Sequence, residues 1–180
     1  LQVQGGFIVG FDSDPPSIFE KQISFIQKSG IVTAMVGVLN APRGTRLYQR
    51  LKGESRLLSR SSGNNTELNF VPKMGHEALM NGYRRVLNNI YSPRSYYERI
   101  RTFLKEYRPR QKQRPRLQLC HIQAFIKCMW YMGVVERGRR YYWRLMLWTL
   151  FRKPKALPAS IGLAVYGFHF RKVAHALEKP

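Results

Sequence analysis

Residues 5–40 decide the fold, and they read GGFIVGFDSDPPSIFEKQISFIQKSGIVTAMVGVLN. Residues 5–10 form a near-continuous apolar run, which is typical of a parallel strand that is buried on both faces. Residues 31–39 form a second run of this kind. Between the two runs, apolar side chains recur at helical spacing until Gly30, a natural helix end. The stretch therefore predicts a strand, a helix and a second strand parallel to the first.

The turn before this helix, residues 12–16, has the sequence DSDPP. Asp14 is a good helix N-cap and Pro15 is tolerated in a first helical turn, so we expect the helix to begin here. Two strands alone cannot bury both faces of their sheet. We therefore expect further strands of a longer protein to precede Leu1.

The rest of the chain is predicted to be mainly helical. Residues 48–58 indicate a short helix, and residues 59–65 indicate a polar loop. Five later helices are expected, on residues 79–90, 93–107, 117–135, 139–152 and 158–177. The predicted fold class is mixed, with an N-terminal β-α-β unit followed by a predominantly α-helical domain. We place the first domain at residues 1–60 and the second at residues 61–180.

The charge of the chain is strongly basic and unevenly distributed. Its 180 residues include 31 Lys and Arg but 10 Asp and Glu, which gives a formal net charge of +21. Residues 1–90 hold 11 basic and 6 acidic side chains, whereas residues 91–180 hold 20 and 4. The second half is therefore the part expected to meet an anionic partner. Because 44% of the residues are hydrophobic, the composition excludes disorder throughout the chain.

Metal, disulfide and membrane-spanning patterns are not found in the sequence. Cys120 and Cys128 would lie about 12 Å apart on one helix, too far for a disulfide, and we interpret them as apolar core residues. A chain with so few cysteines suggests a reducing compartment. The longest apolar stretches are interrupted by charged residues or by Pro158 before they reach the roughly 20 residues that a span needs.

Several segments, in order along the chain, resemble a known enzyme superfamily. Residues 6–11, GFIVGF, with Asp14 and Phe19 after them, resemble the fifth strand and helix of radical S-adenosylmethionine enzymes. Residues 40–48, NAPRGTRLY, look like the segment that follows their sixth strand. The match is closest to the cobalamin-binding branch, in which a helical C-terminal domain follows a partial barrel. Segments similar to that domain are residues 69–74, 91–93, 138–143 and 166–170.

The resemblance implies that the chain is the C-terminal part of such an enzyme, with residues 1–60 as the end of its partial barrel. It implies S-adenosylmethionine as a cofactor, in contact with Gly6, Ile8, Gly10, Asn40 and Pro42. Ile8 would touch the adenine, and the two glycines would let the backbone approach it closely. The alternative is that both glycines are residues of the strand core.

The family's chemistry also needs a 4Fe-4S cluster and, in this branch, cobalamin. The cluster motif, Cys-x-x-x-Cys-x-x-Cys, does not occur in this sequence. The resemblance therefore assigns the cluster ligands and the cobalamin domain to the upstream part of a parent protein, which would be the main partner of this chain. We expect no catalytic residue and no metal ligand here, so that the isolated chain is inactive. The parent is expected to be a methyltransferase that acts on an apolar or lipid-like substrate.

The basic helical half leaves three interpretations open. In residues 137–155 basic and aromatic side chains alternate, and the candidates for contact with a membrane or an anion are Arg137, Arg139, Arg140, Trp143 and Arg144. An anionic membrane surface would attract the arginines while the aromatic side chains settle at its interface. RNA is a second possible partner, but the sequence contains no recognition motif for it. The third interpretation is a solvated helix face without a partner.

The alternative to an enzyme fragment is thus a non-catalytic basic module that binds an anionic membrane or RNA. The expected location is cytoplasmic, with peripheral attachment at the inner face of the membrane as a further expectation.

Overall fold

The computed structural model describes residues 3–58, 68–108 and 119–176. Its two strands, β1 (Gln4–Val9) and β2 (Thr33–Val38), pair in parallel, with Gly6 opposite Met35 and Ile8 opposite Gly37. The described α-helices are α1 (Ile18–Ser29), α2 (Arg46–Gly53), α3 (His76–Tyr91), α4 (Pro93–Glu106), α5 (Leu119–Trp130), α6 (Arg139–Arg152) and α7 (Leu157–Ala176). A π-helical turn, Tyr131–Val135, continues α5, and a 3-10 turn, Pro154–Ala156, precedes α7. The predicted fold class is confirmed.

The sequence predicts strands that are buried on both faces, and this prediction is wrong for this chain. One face is covered by α1, where the rings of Phe7 and Phe25 meet edge-on with centres 6.0 Å apart. On the other face Ile8 and Met35 are 50% and 57% exposed. An apolar run cannot reveal this difference, because it records the polarity of both faces and not what covers them. We call this side, formed by Gly6, Ile8, Met35 and Gly37, the open sheet face.

The helix N-cap predicted at Asp14 is also wrong, because α1 begins at Ile18 with Ser17 as its N-cap residue. A residue that precedes proline is driven out of the helical region, and Pro16 imposes this on Pro15. Asp14 Oδ2 instead accepts hydrogen bonds from the backbone N–H groups of Gly10 and Phe11, at 2.9 and 3.0 Å. The carboxylate therefore closes the loop after β1. The predicted helix end is confirmed, since Gly30 has φ +70°.

The short helix predicted over residues 48–58 is only partly correct. α2 begins earlier, because Thr45 Oγ1 accepts a hydrogen bond from the Tyr48 N–H at 3.2 Å, and it ends at Gly53. Leu57 instead pairs with Phe70 in an antiparallel bridge. The predicted polar loop, the domain boundary at residues 60 and 61, and residues 117, 118 and 177 of two predicted helices lie outside the described residues.

Close helix packing depends on two glycines that face aromatic rings. A Cβ added to Gly82 of α3 would lie 2.2 Å from the ring of Phe19 in α1. A Cβ added to Gly167 of α7 would lie 2.1 Å from the ring of Tyr96 in α4. At these two points the rings occupy the space that any side chain would need, so the backbones of α3 and α7 approach neighbouring helices closely.

A chain of aromatic rings, all buried except the half-buried Phe170, joins the helices in the core. The Tyr91 ring stacks on Tyr96 and on Phe170, with centres 5.9 and 5.3 Å apart. Tyr97 meets Tyr96 and Tyr142 edge-on, at 6.1 and 6.3 Å. This chain of rings links α3, α4, α6 and α7 into one core that also contacts β2.

Among the described residues, none of the helices combines the length and the apolar character that crossing a membrane requires.

Candidate functional site

The outer edge of β2 is closed by side chains from the helices. The carbonyls of Val32, Ala34 and Val36 point away from β1, because alternate residues of a strand direct their backbone groups to opposite sides. Each of these carbonyls accepts a hydrogen bond, from Arg99 at 3.1 Å, Tyr91 at 2.6 Å and Tyr83 at 3.3 Å in that order. Among the described residues no further strand pairs with this edge of β2, because these three side chains occupy it.

Arg99 contributes an unusual group to this edge, since its side chain is fully buried. Burial lowers its pKa to about 10. The guanidinium lies 5.2 Å from the ring centre of Tyr96, a favourable position for a cation–π contact. Arg99 therefore remains charged at neutral pH, held by the Val32 carbonyl and by an aromatic ring.

Replacing Tyr91 by phenylalanine tests this edge. We expect the free energy of unfolding to fall by about 1–3 kcal/mol, because the Ala34 carbonyl would be left buried without a donor. The control is Tyr131→Phe, at a tyrosine that is exposed, where we expect a change within about 0.5 kcal/mol. Urea unfolding followed by circular dichroism measures both variants. Equal stability of the two variants would contradict the role given to Tyr91.

A cavity of about 490 Å³ lies where the open sheet face meets this closed edge. We call it the edge cavity. Ile8, Met35 and Gly37 line it from the sheet. The helical side of its lining consists of Tyr83, Leu87, Tyr91, Phe170, Val173 and Ala174. The strand unit and the helical part of the chain thus form this cavity together.

Asn40 and Pro42 follow the carboxyl end of β2, next to the edge cavity. Asn40 lines the edge cavity and a second cavity of about 470 Å³, which Pro42 also lines. Between them, Ala41 is held by the buried side chain of Asn69, whose oxygen accepts from the Ala41 N–H and whose nitrogen donates to the Ala41 carbonyl, at 3.0 and 2.7 Å. This pairing fixes the backbone that positions Asn40 and Pro42.

Gly10, unlike the other predicted cofactor residues, lies in the interior. Its φ of +107° is a backbone conformation that residues with a side chain rarely adopt. A Cβ there would approach Leu79 to 3.0 Å and Leu39 to 3.6 Å. The fold itself therefore requires glycine at this position, whether or not a cofactor lies nearby.

An ion-pair cluster holds the loop that follows β1. Arg56 donates to both carboxylate oxygens of Asp12, at 2.7 and 2.9 Å, and Arg50 donates at 2.9 Å. The hydrogen bonds from Arg56 lower the pKa of Asp12 below its usual range. Arg56 also donates to the Val71 carbonyl at 2.9 Å, so the cluster joins this loop to the chain after α2.

The predicted membrane or anion contacts all lie on the surface, before and within α6. Arg137, Arg139, Arg140, Trp143 and Arg144 are exposed. Arg139 donates to the Val134 carbonyl at 3.2 Å, and Trp143 donates to the Gly133 carbonyl at 2.9 Å. These two bonds attach the first turns of α6 to the π-helical turn. The nearby acidic residue, Glu136, is engaged inward with Arg171 at 2.7 Å and does not neutralise this surface.

Comparison with known proteins gives the family of the chain. Residues 45–180 match the model of a family described as a domain of unknown function, DUF4070. The chain belongs to this family. The DUF4070 match begins at Thr45, the residue whose hydroxyl caps α2, and covers α2 to α7.

Two curated proteins are similar to this DUF4070 chain. Over 175 residues it is 31% identical to the uncharacterized methyltransferase sll1242 of Synechocystis sp., and the alignment covers 94% of this chain and 33% of that protein. Over 99 residues it is 28% identical to the hopanoid C-2 methylase of Rhodopseudomonas palustris, covering 55% of this chain and 18% of that protein. The chain thus spans about a third of the first relative and less of the second. No solved structure matches it.

The DUF4070 helices supply site residues that the sequence interpretation did not single out. Tyr83 lies in the predicted helix of residues 79–90, and Tyr91 is noted only within the segment 91–93 that resembles the helical domain. The sequence interpretation gave neither hydroxyl a role, yet both close the edge of β2. Their spacing of eight residues, two helical turns, was the available signal that both face one target. Phe170 and Val173 line the edge cavity from α7, and no local pattern indicates that α7 reaches β2. In the described part of the chain, no group of three or more His, Cys, Asp or Glu is placed to hold a metal ion.

Proposed function

We propose that this chain is the C-terminal part of a radical S-adenosylmethionine methyltransferase, in which it completes the cavity where an apolar substrate meets the cofactor. The observation that carries the proposal is the open sheet face, whose apolar side chains stay exposed beside the edge cavity. The similarity to a protein named a methyltransferase and to one named a hopanoid C-2 methylase supports methyl transfer.

The position of the candidate residues agrees with this proposal. β1 and β2 are parallel and end at Val9 and Val38, so both carboxyl ends lie at one edge of the sheet. In barrels of parallel strands, active sites lie at this edge and use residues from the loops that follow the strands. Asn40 and Pro42 belong to such a loop. The Asp12 cluster and Asn69 hold the backbone of the two loops in place.

S-adenosylmethionine fits the open sheet face. Gly6 is exposed, and no atom lies within 4 Å of the position that a Cβ would take, so a ligand can approach the backbone there. Ile8 offers an exposed apolar side chain to the face of an adenine, and Asn40 an amide that can hydrogen-bond. When bound, the cofactor and its cluster would supply the radical chemistry. By the resemblance, the ligands of the cluster and of cobalamin belong to the rest of the protein.

The lining of the edge cavity favours an apolar substrate. The hydroxyls of Tyr83 and Tyr91 are already bonded to β2 carbonyls and cannot turn toward a ligand without breaking these bonds. Leu87, Phe170 and Val173 add apolar surface. A polar substrate would lose its hydration here without gaining hydrogen-bond partners, whereas an apolar substrate gains by leaving water.

Filling the edge cavity in the full-length enzyme tests the proposal. We expect Val173→Trp to lower the rate of methyl transfer at least tenfold, because the indole would occupy the space of the substrate, while the affinity for S-adenosylmethionine changes less than twofold. The measurement uses cofactor with a radioactive methyl group and a membrane-lipid extract, and counts the label in the organic phase. The matched control is Val165→Trp, on the same helix and also partly exposed but not part of the cavity lining.

Two outcomes would contradict the proposal. Transfer of the label to RNA or protein, and not to lipid, would exclude an apolar substrate. Equal rates for Val173→Trp and Val165→Trp would exclude the edge cavity as the place where the substrate binds.

A further inference from the structure

A second surface, distant from β1 and β2 in the chain, carries two rows of large apolar side chains that are exposed to solvent. One row runs along α5 and the π-helical turn and consists of Ile126, Trp130 and Val134. The other runs along α6 and consists of Trp143, Leu147 and Phe151. All six are at least 38% exposed, and Phe151 reaches 80%. The spacing of four residues places each row on one side of its helix.

The two rows meet where α6 leaves the π-helical turn. The Trp143 ring covers Gly133, where an added Cβ would lie 3.1 Å from it, and the indole N–H donates to the Gly133 carbonyl. Arg139 bonds to the carbonyl of Val134, the last residue of the first row. The two rows therefore adjoin at the π-helical turn, and we call them, together with Arg140 and Arg144 of α6, the apolar-basic face.

Positive charge lies on the same side of α6 as the apolar row. Arg140 and Arg144 precede Leu147 and Phe151 by seven residues each, which is two helical turns, and both are exposed. Neither is paired with an acidic group among the described residues. Lys153 differs, since its ammonium already donates to the carbonyls of Leu104 and Lys105 at the end of α4.

We propose that the apolar-basic face docks on an anionic lipid surface. Exposed leucine, valine and phenylalanine side chains in a row are unfavourable on a face that meets only water, because apolar surface lowers its free energy by leaving water. RNA could use the arginines and the tryptophans for phosphate contact and stacking, but Ile126, Val134 and Leu147 have no flat surface to stack on a base. Acyl chains accept all six apolar side chains, and anionic headgroups accept the arginines beside them.

The attachment is reversible and peripheral. Aliphatic and aromatic side chains enter the boundary between headgroups and acyl chains, and the arginines remain at the level of the headgroups. Since attraction between separated charges is screened by salt and burial of apolar surface is not, binding should have a salt-sensitive and a salt-resistant part. Variants that remove the arginines and variants that remove the apolar side chains therefore test the two parts of the binding separately.

Co-sedimentation of the 180-residue chain with vesicles tests the docking surface. The vesicles contain phosphatidylcholine with or without phosphatidylglycerol, at low and high salt. We expect binding to the anionic vesicles at low salt, and a drop of at least tenfold in partition coefficient for Arg140→Gln with Arg144→Gln. We expect Leu147→Ser with Phe151→Ser to remove the binding that remains at high salt. All four side chains are exposed, so circular dichroism should show unchanged folding.

Matched controls carry equivalent substitutions at exposed residues outside the apolar-basic face. Lys21→Gln with Lys28→Gln removes two exposed charges from α1, and Val71→Ser removes an exposed apolar side chain. Binding that falls equally in the controls, binding to single-stranded RNA without binding to vesicles, or no binding at all would overturn the proposal. If the unchanged chain forms a dimer and does not bind vesicles, and if the Leu147 and Phe151 variant is a monomer, the face binds a second copy of the chain. None of these outcomes depends on methyl transfer, so failure here is distinct from failure of the proposed function.

Discussion

Replacing Gly167 by alanine should lower the free energy of unfolding by about 1–3 kcal/mol or more, the usual range for overpacking. The added methyl group would lie 2.1 Å from the Tyr96 ring. That ring cannot move aside easily. It is fully buried, it stacks on Tyr91, and its hydroxyl donates to the Leu163 carbonyl at 2.8 Å. The new methyl group must therefore displace α7 from α4 or break this arrangement.

The same substitution at Gly162 is the control, and we expect the opposite sign. Gly162 lies in α7 as well, but no atom is within 4 Å of the position of its Cβ. Alanine in a helix interior is more favourable than glycine by about 0.5–1 kcal/mol, so Gly162→Ala should raise stability. Urea midpoints of the two variants give the comparison. If both substitutions stabilise the protein by similar amounts, the contact between Gly167 and Tyr96 does not exist in solution.

Alkaline pH should unfold the protein through its buried tyrosines. Burial raises the pKa of Tyr91 and of Tyr97 to about 12, and raises the pKa of Tyr96 as well, from an ordinary value of 10.0. A group whose pKa is raised in the folded state contributes stability that is present below its unfolded pKa and is lost as the pH rises toward its folded pKa. The window of loss is therefore about pH 10 to 12.

The expected slope of the free energy of unfolding against pH follows from the number of groups whose pKa differs between the folded and the unfolded chain. Each tyrosine that ionises only in the unfolded chain lowers the free energy of unfolding by about 1.4 kcal/mol per pH unit. Arg99 acts in the opposite direction, because burial lowers its pKa to about 10 and the folded state releases its proton first. Tyr91, Tyr96 and Tyr97 opposed by Arg99 give a net loss of about 3 kcal/mol per pH unit. Burial also raises the pKa of Tyr83 and of Tyr142, so these two tyrosines add to the loss.

Tyrosinate absorbance and circular dichroism, recorded together during an alkaline titration, measure this prediction. Exposed tyrosines such as Tyr131 and Tyr166 should ionise before the protein unfolds. The tyrosinate absorbance of the buried tyrosines should appear only as the helical signal is lost. Tyr97→Phe should make the pH dependence of stability shallower by about 1.4 kcal/mol per pH unit, and Tyr131→Phe should leave it unchanged. Complete ionisation of all tyrosines with the helical signal intact would contradict the buried positions of Tyr91, Tyr96 and Tyr97.

The sequence by itself determined the kind and order of the elements. Periodicity located β1, α1, β2 and the later helices, because the spacing of apolar side chains follows directly from backbone geometry. Gly30 and Pro93 marked a helix end and a helix start for local steric reasons, and both are confirmed. The concentration of positive charge in the second half is likewise a property of composition alone.

Tertiary structure decided how these elements are used. Asp14 is a local exception, because the two prolines directly after it delay the helix to Ile18 and its carboxylate closes the loop after β1. Exposure of Ile8 and Met35 depends on which layer covers the sheet, and an apolar strand has the same sequence in either case. Hydrogen bonds between residues 47 to 67 positions apart, from Tyr83 and Tyr91 to β2 and from Arg99 to Val32 just before it, close the sheet edge. Tyr83 and Tyr91 also line the edge cavity. Contacts of this range arise only when the helices pack against the strands, since no local pattern encodes the distance between two segments.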